Sequence, residues 1–206
     1  MSKLLLATSN QAKVCEYRGL LQDLPFKLVT PLEEGISITV DEAGKSLEEN
    51  ARLKATTLAT RSQLLTLADD SGLEVGALGG EPGVLSARYI GEGASDRDRI
   101  NYLLWRLKDV PWEKRWARFR CVIILATPDG QVEVCSGDCQ GFITFEPRGE
   151  HGFGYDPVFY LPQLGKTMAE LPVEVKNQVS HRGQAARKAV RVLKRLKESK
   201  NVPQIT

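Results

Sequence analysis

SLEENARLKATTLATRSQLLTLADDSG, residues 46–72, passes from a helix signal to a strand signal and ends in two acids, a serine and a glycine. Ser46-x-x-Glu49 is a capping box, which opens a helix by satisfying its free N–H groups. Leu47, Ala51, Ala55, Leu58 and Ala59 follow at helical spacing, so the helix runs to about Arg61 with one apolar face. Leu64 to Ala68 is then a strand leading into Asp69-Asp70-Ser71-Gly72, and Leu73-Glu74-Val75 reads as the next strand. Two neighbouring carboxylates at a strand end repel each other, so a plain surface loop gains nothing from them. A hard cation such as Mg²⁺ takes oxygen ligands and offsets the repulsion. Ser71 adds a hydroxyl, and Gly72 lets the backbone come close to a ligand.

The same alternation extends outward from this stretch. Leu4 to Ala7 reads as a buried strand ended by a Thr8-Ser9-Asn10 turn. Val14, Tyr17, Leu20, Leu21 and Leu24 then mark an amphipathic helix that Pro25 stops, and Lys27-Leu28-Val29 is a second strand. Downstream, Gly76 to Gly93 is a glycine-rich loop. Ser95-x-x-Asp98 resembles a second capping box, placed before Ile100, Leu103, Leu104 and Leu107, with Pro111 closing that helix. Ala117 to Thr127 and Val132 to Ile143 are β-rich runs joined by Pro128-Asp129-Gly130, a hairpin signal. A glycine-rich loop from Gly149 to Pro157 follows, and a helix from about Gln184 to Ser199 ends the pattern, with Ala185, Ala189, Val192, Leu193 and Leu196 inward. Early strand–helix alternation with a late hairpin indicates an α/β fold: a mixed β-sheet flanked by helices, parallel crossovers in its N-terminal part. No linker composition interrupts it, so residues 1–206 are expected to form a single domain, two-lobed around a cleft.

Composition narrows the function classes. Of 206 residues, 42% are hydrophobic and 26% charged, ordinary globular values. A net charge of +2 argues against a protein built to coat nucleic acid. The basic residues of the last helix (Arg187, Lys188, Arg191, Lys194, Arg195, Lys197) fit a solvated face better than a nucleic-acid patch. Cys15, Cys121, Cys135 and Cys139 contain no C-x-x-C pair, and with only His151 and His181 beside them a zinc set is not expected. Reduced cysteines point to the cytoplasm. The N-terminal apolar run is too short for a signal peptide, and the longest one, Cys121 to Ala126, is too short to span a membrane. Trp105, Trp112 and Trp116 could serve an interface or the core.

Four constellations carry candidate chemistry. Thr8-Ser9-Asn10-Gln11-Ala12-Lys13 runs from a strand end into a helix N-terminus, whose N–H groups and dipole attract phosphate; Ser or Asn there also caps any helix. Asp41-Glu42, with Asn50 and Lys54 on one helix face, could meet a polyphosphate–metal complex, or could be a solvated, capped helix. Gly152-Phe153-Gly154-Tyr155-Asp156-Pro157 places two rings about a glycine, which suits a pocket where a planar group stacks, or an ordinary turn with two core aromatics; the proline holds Asp156 extended. Lys176 and Ser180-His181-Arg182-Gly183 come just before the last helix, where His and Arg supply donors for a carbonyl or phosphate oxygen, or where Ser180 or Gly183 flanks the helix as a cap and Arg182 is solvated.

T-S-N-x-x-K at Thr8, E-N-A-x-x-K-A around Asn50, A-D-D-S-G-L, P-G-V-x-S-A-R-Y at Pro82 to Tyr89, G-F-G-Y-D-P and S-H-R-G-Q-A together resemble the inosine/xanthosine triphosphate pyrophosphatase family. The resemblance covers residue 8 to about residue 187. It implies an enzyme that hydrolyses ITP, dITP and XTP to the monophosphate and pyrophosphate in a nucleotide-binding cleft, with Mg²⁺ as cofactor and a homodimer as the working state. By the same resemblance Thr8, Ser9, Asn10 and Lys13 hold the triphosphate. Lys54 joins them in offsetting the leaving pyrophosphate. Glu42 and Asp70 bind the metal, and Asp70 is the proton acceptor. Ser71 touches substrate; Phe153, Gly154, Tyr155 and Asp156 hold the base; Lys176, His181 and Arg182 complete the contacts. His181 and Arg182 would donate to a 6-keto oxygen and so disfavour the amino group of adenine. Ser9 stands where members commonly carry glycine. Two other readings remain open: a nucleotide sensor or RNA-binding module without turnover, against which the acidic doublet argues, and a pyrophosphatase for modified pyrimidine nucleotides.

Overall fold

The computed structural model describes residues 2–37, 40 and 44–200, the side chains of 199 and 200 excepted. Eight strands form one mixed sheet: β1 (Ser2–Leu6), β2 (Phe26–Val29), β3 (Leu65–Val75), β4 (Pro82–Gly83), β5 (Trp116–Ala126), β6 (Val132–Ile143), β7 (Phe159–Leu161) and β8 (Lys166–Thr167). The helices are α1 (Gln11–Leu20), α2 (Leu47–Ser62), α3 (Asp96–Arg106), α4 (Val173–Val179) and α5 (His181–Lys200). The strand order is β2-β1-β3-β5-β6-β7-β8, with β4 paired to β3. β1 runs parallel to both β2 and β3, as the N-terminal crossovers require, whereas β4, β7 and β8 pair antiparallel. This is the α/β class with a mixed, helix-flanked sheet expected from the sequence. No described helix is long and apolar enough to cross a membrane.

The chain forms two compact units, residues 1–70, 122–136 and 184–206, and residues 71–121 and 137–183. In the first, Leu4, Leu5 and Leu6 of β1 are at most 1% exposed. Burial of each such side chain contributes up to about 1.5–3 kcal/mol. Asn10 caps α1 by accepting the Lys13 N–H, and Ser46 caps α2 by accepting that of Glu49. The Glu49 carboxylate takes the Lys45 N–H. α2 stops at Gln63, whose left-handed backbone (φ 57°) lets its N–H return to the Ala59 carbonyl.

In the second unit a core gathers Leu73, Ile100, Leu103, Phe119, Phe159 and their neighbours. Arg115 lies inside it, 1% exposed. Its guanidinium donates to the carbonyls of Leu107, Val110, Ile143 and Thr144, so one side chain ties the end of α3 to the end of β6. α3 opens with the full capping box expected, Ser95 and Asp98 exchanging hydrogen bonds. Its helical residues end at Arg106, well before Pro111. Trp105 and Trp116 are 60% and 52% exposed, so the core reading does not hold for these two, while Trp112 stacks on Phe142.

Three local readings change. β3 is one strand of 11 residues, so the acids sit in mid-strand and not at a strand end, and Leu73–Val75 continues it. A strand can carry adjacent acids because its successive side chains leave on opposite faces. α5 begins at His181 and not near Gln184, because the Ser180 hydroxyl accepts the Gly183 N–H as a cap. Asp156 opens a single 3-10 turn, Asp156–Val158, instead of an extended segment.

Candidate active site

In the first unit, the Ala7 N–H donates to the Leu67 carbonyl (2.7 Å), which seats the start of α1 beside β3. Thr8 Oγ1 accepts the Asn10 N–H at 3.2 Å, while Ser9 and Asn10 stay exposed at the helix N-terminus. Among the described residues Gln63 is the non-glycine residue with positive φ, so Ser9 needs no left-handed backbone to occupy its place. From the first turn of α1, Lys13 Nζ reaches the Asp69 carboxylate at 3.1 Å.

α2 supplies the other side. Asn50 Nδ2 donates to Asp70 Oδ2 at 3.1 Å, and Asn50 Oδ1 accepts the Gly44 N–H at 2.8 Å. One turn on, Lys54 Nζ donates to the Asp69 carbonyl at 2.8 Å and lies 3.7 Å from Asp70 Oδ1. Asp69 and Asp70 are 1% and 7% exposed. Carboxylates that far from water need cations or strong donors to stay charged. Lys13 serves Asp69 and Lys54 serves Asp70, each also a positive charge that an incoming phosphate would meet. Glu42, and Asp41 beside it, lie outside the described residues.

In the second unit, the loop 152–156 folds over a buried ion pair. Asp156 and Lys176 are 3% and 5% exposed, and their side chains are in direct contact. Asp156 Oδ2 also accepts the Phe153 N–H at 2.9 Å. Gly152 makes this possible: at φ +77° a Cβ there would sit 2.1 Å from Asp156 Oδ2 and 2.9 Å from Lys176 Nζ. Above the Phe153 ring stand the Lys176 ammonium and the Arg182 guanidinium, both 5.3 Å from its centroid. Arg182 Nη2 donates to Ser71 Oγ at 2.8 Å. His181 lies flat on Phe119, ring centroids 4.6 Å apart and planes 13° off parallel. Tyr155 is 4% exposed, its hydroxyl donating to the Ser86 carbonyl at 3.0 Å, and burial raises its pKa. Gly154 N–H donates to Asp96 Oδ2 at 2.6 Å. Gly183 lets α5 start close to α4, because a Cβ there would meet the Asn177 carbonyl oxygen at 1.9 Å.

One unit thus holds two cations beside two acids, and the other an aromatic ring beneath two cations. The model of the Ham1 family matches residues 4–192. The chain belongs to the Ham1 family. It is 50% identical over 185 residues to the dITP/XTP pyrophosphatase of Geobacter sulfurreducens, covering 90% of this chain and 93% of that one. It is 46% identical over 182 residues to the protein of the same name in Halalkalibacterium halodurans, covering 88% and 94%. The solved structure of a Ham1 protein from Coxiella burnetii aligns with a TM-score of 0.86 at 41% identity, over 95% of this chain and all of that one.

The two acids of this Ham1 chain take separate partners, Lys13 at Asp69 and Asn50 at Asp70, which their adjacency in the sequence does not show. Strand alternation was the available signal. The sequence places Asn50 on one helix face with Lys54, where both could meet a polyphosphate–metal complex, and the structure joins it to Asp70. Ser86 falls in the P-G-V-x-S-A-R-Y motif without a role of its own being assigned to it, whereas Asp96 and Phe119 had no signal beyond a helix first turn and an apolar strand.

Proposed function

We propose that the chain is a nucleoside triphosphate pyrophosphohydrolase that hydrolyses ITP, dITP and XTP to the monophosphate and pyrophosphate. The observation that carries this reading is the buried Asp69–Asp70 pair in mid-strand, met by Lys13, Asn50 and Lys54. The name of its relatives, dITP/XTP pyrophosphatase, supports it.

Asp70 takes the proton of the attacking water, whose oxygen bonds to one phosphorus of the α–β bridge as the bridging bond breaks. Asn50 holds the Asp70 carboxylate in place through the 3.1 Å contact. Lys13 and Lys54 offset the charge of the departing pyrophosphate, and Thr8, Ser9 and Asn10 bring the phosphates to the N-terminus of α1. Mg²⁺ usually takes one or two carboxylates together with substrate phosphates. A buried carboxylate at Asp70 fits that chemistry, with Glu42 as the second ligand. When bound, the cation would supply positive charge to the phosphoryl oxygens.

Phe153 stacks on the base, with Gly154, Tyr155 and Asp156 shaping the loop that carries it. Arg182 and His181 donate to the 6-keto oxygen, and Lys176 and Ser71 complete the contacts. The reading extends to a single-domain homodimer of the cytoplasm acting on free nucleotides, not on nucleic acid or membranes.

A panel of ITP, dITP, XTP, ATP, GTP and modified pyrimidine triphosphates, with pyrophosphate detection and titrated Mg²⁺, tests the proposal. Asp70→Asn should lower ITP turnover at least about 10²-fold while leaving the fold intact. Binding without pyrophosphate release would point to a sensor, and a pyrimidine preference to the other pyrophosphatase class.

A further inference from the structure

The loop 152–156 is fastened to α3 by an acid that none of the family motifs quoted above includes. Asp96 is the first residue of α3, and its two carboxylate oxygens do different things. Oδ2 accepts the Gly154 N–H at 2.6 Å, across 58 residues of chain, and Oδ1 meets the Arg99 guanidinium. Arg99 is itself anchored, donating to the Ala87 carbonyl at 2.9 Å and to the Ala94 carbonyl at 2.5 Å. Next to Ala87, the Ser86 carbonyl accepts the Tyr155 hydroxyl, and Ser86 Oγ accepts the Leu73 N–H at 2.8 Å. A line of hydrogen bonds therefore runs from β3 through the 86–88 turn and Arg99 to Asp96, and meets the loop at Gly154 and Tyr155. All of these residues belong to the second unit.

The position of the contact matters. Gly154 has a positive φ of 63° and no side chain of its own to fix it. Its N–H is bonded to Asp96, while the Phe153 N–H, one residue earlier, is bonded to Asp156. Holding both amides sets the direction in which the Phe153 ring leaves the backbone. The Asp96 side chain is 44% exposed, so its effect is one of geometry and not of a buried charge.

We infer that Asp96 is a positioning residue for the loop 152–156 and, through it, for recognition of the base. The second half rests on the reading of that loop as the base site. Asp96→Ala should raise KM for ITP about ten-fold with kcat within about two-fold, the size of one charged hydrogen bond. Inhibition by inorganic pyrophosphate, a probe with no base, should not change. Hydrogen exchange at the 153–155 amides should quicken in the variant whatever the substrate. Asp96→Asn keeps an acceptor oxygen of the same reach and should hold KM within about three-fold of the parent.

Unchanged amide exchange overturns the positioning role. An unchanged KM for ITP, a pyrophosphate inhibition weakened by the same factor, or an asparagine variant as impaired as alanine overturns the link to the base. If the parent protein does not turn over ITP, the proposed function fails, while the exchange measurement still decides whether Asp96 holds the loop.

Discussion

Replacing Lys176 with methionine removes one charge of the Lys176–Asp156 pair and keeps most of the side-chain volume. Both partners are buried, at 5% and 3% exposure, so water cannot take over the role of the ammonium. Asp156 would keep its hydrogen bond from the Phe153 N–H and lose its cation contact. Breaking a buried pair from one side costs about 3–5 kcal/mol, because the remaining charge stays desolvated. In a chain of 206 residues each kcal/mol moves the melting temperature by about 2–4 °C, so a fall of roughly 6–20 °C is expected. Urea unfolding followed by circular dichroism gives the free energy directly.

The informative measurement is the double variant. Lys176→Met with Asp156→Asn leaves neither charge unpaired and should recover about half of the loss, a coupling of at least about 1 kcal/mol. Strict additivity of the two single changes, or a Lys176→Met cost below about 1 kcal/mol, would falsify the buried-pair argument.

Two further outcomes follow from the same geometry. Arg182→Ala removes the donor on Ser71 Oγ and the cation above Phe153, and should cut kcat/KM for ITP by about ten- to a hundred-fold while ATP loses little; equal losses for the two substrates would make Arg182 a phosphate clamp. Burial raises the Glu74 carboxyl, but the hydrogen bonds of Arg118 and Arg120 outweigh it and hold its pKa below the ordinary 4.5. A depressed carboxylate stabilises the fold above its unfolded pKa and loses that contribution as pH falls through the folded one. The stability gap between the parent and Glu74→Gln should therefore be flat above 4.5, at most about 1 kcal/mol, and shrink below it; a gap that widens in acid refutes the ion-pair account.

The sequence by itself determined the elements whose causes are local. Ser46, Ser95 and Asn10 cap helices because a side-chain oxygen reaches an N–H three residues on, and the apolar spacing behind each cap is set by the helix turn. The parallel N-terminal crossovers and the two long strands about Pro128-Asp129-Gly130 follow from the same short-range rules. Boundaries failed where a local rule met a longer-range one. β3 runs through its two acids because it lies between β1 and β5 in the sheet and pairs with β4 further on, which holds it extended. α5 starts early because Gly183 permits a close approach to the Asn177 carbonyl.

The partners within the candidate site were decided by tertiary structure alone. Lys13 and Asp69 are 56 residues apart, Asn50 and Asp70 are 20 apart, and Ser71 and Arg182 are 111 apart. Residue type marks each of these as able to bind a phosphate, a metal or a base. Which carboxylate receives which lysine depends on the face from which each side chain leaves β3, and on which helix packs against that face. Spacing along the chain carries no record of such a pairing, because contacts at that separation exist only once the strands have found their register.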